Sequence, residues 1–364
     1  MGCERGEPRP EGAAPAPAAV EGTPERAERR EADPERAVPE QDEPARTGAA
    51  PGGGELDAAP SGRGAAPLAA PRRVVGSDVA PDRLLDRLQT SAVRSVEPIG
   101  RTSMVFRLFF EDGTRGSFEP ATRQHPRGHR AEVAAYRVSR LLGLDVVPPV
   151  ITRRFSLTEL RARLDPDFRD VWDEIERSMA PEADGFVPGA VIHWVSGARP
   201  LGLEREGARR QWGRWLSRRG TVPADRRALA RDLSNMVAFD YLVGNTGRLG
   251  EGLAAALGTP DGRRLFLRDH RRSFASPLPP VLHRKLADSL VGVERFSRRF
   301  VERLSKLAAG AIRAELARDP GHASGAPLLT DAQIAAMMDR REALLSHVGA
   351  LIDARGADRV LVFR

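Results

Sequence analysis

Residues 110–144 of this chain, FEDGTRGSFEPATRQHPRGHRAEVAAYRVSRLLGL, decide its fold. Asp112 and Gly113 stand between two β-rich segments, residues 103–111 and 114–119, and this dipeptide is a strong hairpin signal. Apolar residues then recur at helical spacing over residues 130–144. The stretch therefore predicts a β-hairpin followed by an amphipathic helix.

The segments on either side extend this pattern into a larger domain. Before the hairpin, a helix and a strand are predicted at residues 81–89 and 94–99. After the helix come two strands with two short helices between them, at residues 150–155, 157–164, 167–178 and 186–195. The rest is mainly helical, with helices at 207–218, 224–243, 281–290, 294–307, 309–317 and 331–353, a glycine-rich loop at 244–252 and a short strand at 264–268.

The order of these elements predicts a bilobed α+β domain of the kinase type, which holds a nucleotide in the cleft between its lobes. We expect this domain at residues 72–364. Its small β-rich lobe would span about residues 92–190, and its larger, mainly helical lobe about residues 195–364.

Residues 1–71 do not belong to this domain. They contain 12 of the chain's 29 prolines, and no aromatic residue occurs before Phe106. Such a stretch has too few apolar side chains to offset the entropy of ordering, so we predict a disordered tail rich in Pro, Ala, Glu and Arg.

Basic charge is concentrated in the predicted domain. The tail carries a net charge of −6 against +7 for the whole chain, which leaves +13 for residues 72–364. This excess suits acidic partners such as nucleotides or nucleic acids. However, 55 of the 57 basic residues are Arg, which is typical of biased coding, and no nucleic-acid-binding motif accompanies them. We therefore expect a nucleotide and an unidentified protein partner rather than nucleic acid.

The N-terminus gives two expectations about location. Cys3 is the lone cysteine, which excludes a disulfide within the chain. No run of apolar residues is long enough for a transmembrane helix, and no apolar segment follows Met1, so a cytoplasmic protein is predicted. Gly2-Cys3 before a polar linker is also typical of a lipoprotein cleavage site, and an upstream start would make the protein exported and lipid-anchored.

A bilobed phosphotransferase needs five parts: a small-residue loop over the phosphates, a strand lysine, a helix glutamate that holds the lysine, a catalytic aspartate, and an aspartate for metal. The order of the chain assigns a residue to each position. The candidates are Gly100, Arg101, Thr102 and Ser103 for the phosphate loop, Glu119 for the strand position, Glu132 for the helix, Asn245, Gly247 and Arg248 for the catalytic loop, and Asp269 for the metal.

Four stretches around these positions resemble the secretory-pathway kinases, the Golgi casein kinase and four-jointed group, in a bacterial branch. They are FEDGTRGSFEP at 110–120, RAEVAAYRVSRLLGLDVVPP at 130–149, FDYLVGNTGRLGEG at 239–252 and LFLRDHRRSF at 265–274. The resemblance covers roughly residues 95–305 and implies a kinase fold that binds ATP with Mg²⁺ or Mn²⁺, with nucleotide contacts from Asn245 and Arg248.

The pattern of the group includes five charged or metal-binding side chains: a lysine, a glutamate, two aspartates and an asparagine. This chain lacks three of them. Phe-Lys-Pro is replaced by Phe118-Glu119-Pro120, the loop Gly-Asn-x-Asp-Arg has Gly247 in place of Asp, and the metal-binding asparagine after the loop is missing. Loss of a positioned general base alone lowers a rate by about 10²–10⁴. A carboxylate in place of the lysine repels phosphate. The resemblance thus implies a pseudokinase with a binding or regulatory role, which retains Glu132 and Asp269.

Two other functions stay open at this stage. An active phosphotransferase for a protein or sugar acceptor would need Asp240 or Glu251 to replace the lost aspartate. An Arg-rich nucleic-acid-binding protein would need a clustered basic face and an affinity that falls steeply with salt. His193 and His270 have no second histidine at metal-ligand spacing, so neither is predicted to bind metal.

Overall fold

The computed structural model of the protein describes residues 73–100, 104–323 and 327–364. The tail predicted at residues 1–71 lies outside this part, and so do Arg101, Thr102 and Ser103 of the predicted phosphate loop. Within the described ranges, no helix combines the length and apolarity that a membrane span requires.

A five-stranded antiparallel sheet forms the first part of the structure. Its strands are β1 Val93–Pro98, β2 Phe106–Phe110, β3 Arg115–Pro120, β4 Val150–Ser156 and β5 Phe186–His193. In space the strands lie in the order β1-β2-β3-β5-β4. At the predicted hairpin, the Phe110 N–H donates to the Thr114 carbonyl (3.0 Å), and Gly113 adopts a φ of +81° that a side chain would disfavour. The predicted hairpin is confirmed.

Helix α2 (Gly128–Leu142) lies against β4 and β5 and is buried along almost its whole length. Two of its arginines form buried ion pairs with the helical part of the chain: Arg137 Nη2 with Asp319 Oδ2 (3.0 Å) and Arg140 Nε with Glu315 Oε1 (3.0 Å). These pairs fix the helix that carries Glu132. The remaining helices of this region are α1 Pro81–Thr90, α3 Leu157–Ala162 and α4 Trp172–Ser178, with a 3-10 helix at Pro166–Val171.

The second part of the described chain is mainly helical. Its helices are α5 Glu206–Leu216, α6 Arg227–Val243, α7 Pro280–Val291, α8 Arg298–Ser305, α9 Ala309–Leu316, α10 Pro320–Ala323, α11 Asp331–Arg355 and α12 Ala357–Val360, with 3-10 helices at Ala224–Arg226 and Gly250–Ala255. A small sheet of β6 Arg199–Pro200, β7 Leu257–Gly258 and β8 Leu265–Phe266 completes it. An antiparallel sheet followed by helices confirms the predicted α+β class, while the lobe boundaries stay a prediction.

Two local predictions were wrong, and one small feature was missed. The helix predicted at 294–307 begins only at Arg298, because the preceding residues pair with the C-terminal segment: Phe296 N–H donates to the Val360 carbonyl (2.7 Å), and Phe363 N–H donates to the Phe296 carbonyl (3.1 Å). The loop predicted at 244–252 gives way to the 3-10 helix from Gly250. The two-residue strands β6 and β7 were not predicted, since they are too short to show a periodic pattern.

Candidate active site

Three carboxylates from distant parts of the sequence meet near the end of β3, the central strand of the large sheet. Glu119 lies on β3 opposite Ala190 of β5, Glu132 lies on α2, and Asp269 follows β8. One carboxylate oxygen from each lies within 4.8 Å of the others. Glu132 is fully buried, whereas Glu119 and Asp269 are half-buried. The structure thus brings together the residues predicted for the strand, helix and metal positions, while their roles stay predictions.

The proximity of these carboxylates makes it unfavourable to ionise all of them together. Burial, and then the charges of Glu132 and Asp269, raise the pKa of Glu119 to about 8. Burial and Asp269 likewise raise the pKa of Glu132 to about 7. At neutral pH the cluster therefore holds a proton or needs a cation to balance it.

Asp269 has an unusual backbone conformation that is held from two sides. Its φ is +60°, a left-handed value that Asp tolerates better than most residues. Its carbonyl accepts a hydrogen bond from Asn245 Nδ2 (3.1 Å). The next residue, His270, donates its N–H to Glu132 Oε1, so the helix glutamate and the Asp269 segment are directly connected.

His270 is a buried neutral ring within this network. Burial and the Arg248 guanidinium lower the pKa of His270 to about 3. Its Nε2 lies 2.9 Å from Arg248 Nη2, so Nε2 accepts this hydrogen bond and Nδ1 carries the proton, 3.5 Å from Glu132 Oε2. No role was predicted for His270, and the structure shows that it connects Glu132 with Arg248.

The catalytic-loop segment starts where α6 ends, at Gly244, which adopts a φ of +67°. Asn245 is fully buried and accepts the Gly247 N–H at its Oδ1 (2.9 Å). A Cβ placed on Gly247 would lie 3.1 Å from that same Oδ1 and 3.7 Å from the Asp269 carbonyl. Gly247 therefore adjoins the carboxylate cluster, but it offers no side chain to remove a proton from an acceptor.

Arg248 and Asp240 form a buried ion pair beneath this loop. Arg248 Nε lies 2.8 Å from Asp240 Oδ2, and Nη2 lies 2.5 Å from Oδ1. Arg248 Nη1 also donates to the Arg268 carbonyl. All three side-chain nitrogens of Arg248 bind protein groups, so Arg248 holds the loop in place in this structure. Its predicted nucleotide contact stays a prediction. The Glu251 side chain lies outside the described part of the chain.

A small cavity of about 150 Å³ has Arg268, the neighbour of Asp269 in the sequence, in its lining. It lies between the connector that follows β5 and the small sheet, and Arg268 faces it next to Asp269. Its lining residues are Trp194, Val195, Gly197, Ala198, Leu257, Phe266 and Arg268. Arg268 was not among the predicted site residues, although a charged residue at the end of the buried stretch Leu265–Leu267 was a signal that could have identified it. Gly100 is exposed at the end of β1, before the undescribed segment.

A second cavity, of about 260 Å³, lies beneath the catalytic loop among α5, α6 and α7. Trp212, Met236 and Leu286 contribute apolar walls, and Asp240 and Arg248 line its polar side. It adjoins the Asp240–Arg248 pair rather than the carboxylate cluster.

Comparison with known proteins relates this arrangement to secretory-pathway kinases. Two solved structures of the Golgi casein kinase, one of them with Mn/ADP bound, superpose with a TM-score of 0.57 each, at 19% and 18% sequence identity, over 77% of this chain and 78% of theirs. The fold is that of the Golgi casein kinase. The structure of hydra Fam20 with sugar gives a TM-score of 0.55 at 18% identity, over 80% of this chain and 95% of that one.

At the level of sequence, human glycosaminoglycan xylosylkinase is 27% identical over 268 residues, which cover 64% of this chain. The chain spans 63% of the length of that enzyme. No family model matches the sequence. The predicted resemblance to the secretory-pathway kinases of the Golgi casein kinase type is confirmed, while the bacterial branch and the pseudokinase status stay predictions.

Proposed function

We propose that this protein is a pseudokinase. Its cleft would hold a nucleotide and a divalent cation but transfer phosphate slowly or not at all, and it would act on a protein partner through binding. The observation that carries this proposal is the convergence of Glu119, Glu132 and Asp269, with oxygens within 4.8 Å of one another, where an active kinase uses a lysine paired with a glutamate.

The carboxylate cluster fits a divalent cation. Mg²⁺ and Mn²⁺ are bound by carboxylate oxygens, and one cation in contact with Glu119, Glu132 and Asp269 would remove the repulsion that raises the pKa of the two glutamates. When bound, the ion would neutralise negative charge on the phosphates of the nucleotide. A solved structure of the same fold contains Mn and ADP, which supports this ligand pair.

The loop geometry argues against efficient transfer. Gly247 has no side chain, and the nearby Asp240 carboxylate is hydrogen-bonded to Arg248 in a buried pair. A general base must come within hydrogen-bonding distance of the proton it removes. Asp240 could do so only if it gave up its pairing with Arg248, which would leave the Arg248 guanidinium buried without a counter-ion.

Calorimetric titration of ADP tests the binding half of this proposal. We expect wild-type protein to bind ADP more tightly with Mn²⁺ than with EDTA, and Asp269→Asn to lose the Mn²⁺ dependence. Asp353→Asn, at an exposed position on α11, is the matched control and should behave as wild type. Absence of ADP binding under both conditions would contradict the proposal.

One observation favours a second candidate, an active sugar kinase. The sequence relative is a xylosylkinase, which supports a sugar acceptor for this chain. Measurement of ADP release from ATP with xyloside and casein acceptors separates the two functions. Turnover at ordinary kinase rates, abolished by Asp269→Ala, would establish the sugar or protein kinase and disprove the pseudokinase.

A further inference from the structure

Arg268 is a basic residue that faces the cavity between the connector and the small sheet. This cavity of about 150 Å³ has the aromatic residues Trp194 and Phe266 and the apolar residue Leu257 in its lining. Drug-sized ligands need cavities of roughly 300–1,000 Å³, so this one suits a flat ring such as a nucleotide base rather than a whole nucleotide. A base held there would have the rest of the molecule in the open cleft, near Arg268.

The Arg268 side chain has a buried nitrogen that no hydrogen bond satisfies. It is half-buried, its Nε is shielded from solvent without a hydrogen-bond partner, and among the described residues no carboxylate forms an ion pair with it. Buried donors of this kind are normally hydrogen-bonded, and a guanidinium prefers paired oxygens of a carboxylate or phosphate. The main chain is nevertheless held in place, because the Arg268 carbonyl accepts from Arg248.

The positive charge in this cleft comes from a different position than in an active kinase. An active kinase has a lysine on this strand, whereas this chain has Glu119 there and a cation at Arg268. The two are close enough for Arg268 to favour the charged forms of both Glu119 and Glu132, opposing the effect of burial. The cleft therefore still contains a fixed positive charge beside its metal-ligand candidates, but it comes from another element.

We propose that Arg268 binds the phosphate groups of a nucleoside diphosphate or triphosphate whose base occupies this cavity, and so replaces the missing strand lysine. The proposal rests on the nucleotide binding proposed above and adds the residue responsible for it. Arginine suits this task because its fork donates two parallel hydrogen bonds to phosphate oxygens and stays charged at all relevant pH values.

The first test compares Arg268→Gln with wild type for two ligands, ADP and adenosine, by calorimetry in the presence of Mn²⁺. Loss of a charge-assisted bidentate contact should weaken ADP binding by about tenfold to a hundredfold, while adenosine, which lacks phosphate, should bind both proteins equally. Arg263→Gln, at an exposed position in the turn before β8, should bind both ligands as wild type does.

The outcomes are distinguishable. If wild type binds no ADP, the proposed function and this inference both fail. If wild type binds ADP and Arg268→Gln binds it equally well, only the inference is overturned. A parallel loss of adenosine binding in Arg268→Gln would also overturn it, because the residue would then maintain the cavity rather than bind phosphate.

A rescue experiment tests directly whether a cation on the strand can replace the one at Arg268. In the double variant Glu119→Lys with Arg268→Gln, the cation returns to the strand. We expect this variant to recover at least tenfold of the ADP affinity that Arg268→Gln loses, with no change for adenosine. A double variant that binds adenosine normally and ADP as weakly as Arg268→Gln would show that the two positions are not interchangeable, and would overturn the replacement.

Discussion

Replacing Glu119 with Gln should remove a pH dependence from the stability of the fold. Burial and two neighbouring carboxylates raise the pKa of Glu119 from an ordinary 4.5 to about 8. In the native state the group therefore keeps its proton as pH rises, while in the unfolded state it ionises near 4.5. Between these two pH values the native state binds more protons than the unfolded state. The contribution of Glu119 to the free energy of unfolding is therefore largest below pH 4.5 and is lost as pH rises through 8.

The size of this loss of stability follows from the pH interval over which the two states differ in protonation. One pKa unit corresponds to about 1.4 kcal/mol, so the 3 units between pH 5 and pH 8 set an upper bound of roughly 4 kcal/mol. Glu119 and Glu132 titrate together because they repel each other, so only part of this loss of stability belongs to Glu119. We assign about 2 kcal/mol to Glu119 alone. Glu119→Gln should thus resemble wild type at pH 5 and be more stable by about 2 kcal/mol at pH 8.

Urea unfolding at pH 5 and pH 8, with EDTA to remove metal ions, measures this difference. Glu111→Gln is the matched control, since it removes an exposed carboxylate from the same hairpin and should follow the wild-type pH profile. Saturating Mn²⁺ at pH 8 should then raise the stability of wild type more than that of Glu119→Gln. If wild type and Glu119→Gln lose stability in parallel between pH 5 and pH 8, the carboxylate cluster does not repel as described.

Three further predictions concern the loop, the lost catalytic groups and the tail. Arg248→Met should lower the free energy of unfolding in urea by about 3–5 kcal/mol, because it leaves the buried Asp240 carboxylate without its counter-ion; an unchanged midpoint would mean that the pair contributes nothing. The double substitution Glu119→Lys with Gly247→Asp should release ADP from ATP faster than either single variant, since catalytic groups act as a unit, and equal rates for all three would count against the assigned positions. Removal of residues 1–71 should leave the melting temperature nearly unchanged, and strong amide-exchange protection in that segment would contradict the predicted tail.

Local sequence signals predicted the framework of the site. The Asp112-Gly113 turn and the helical spacing after residue 130 define β3 and α2, and these elements carry Glu119 and Glu132. The short apolar strand before Asp269 was visible as well. Each of these signals is contained within a few neighbouring residues, which is why sequence alone could show them.

The contacts that complete the site depend on the tertiary structure. Arg248 and Asp240 pair across the end of α6, and His270 meets Glu132 from 138 positions away in the sequence. No periodicity encodes such pairings. Arg268 is visible in the sequence as a charged residue after an apolar stretch, but its significance depends on the cavity formed by the connector after β5 and the small sheet.

The central claim is that this cleft binds nucleotide without transferring its phosphate. A single-turnover measurement tests that claim most directly. Wild-type protein in excess over ATP, with Mn²⁺ present, would be separated from free nucleotide, and the bound nucleotide would be identified over time. We predict that ATP is retained and stays ATP for at least minutes, because Gly247 has no side chain to act as a base and Glu119 occupies the predicted lysine position. Rapid conversion of the bound ATP to ADP, or no retention of ATP at all, would contradict the account.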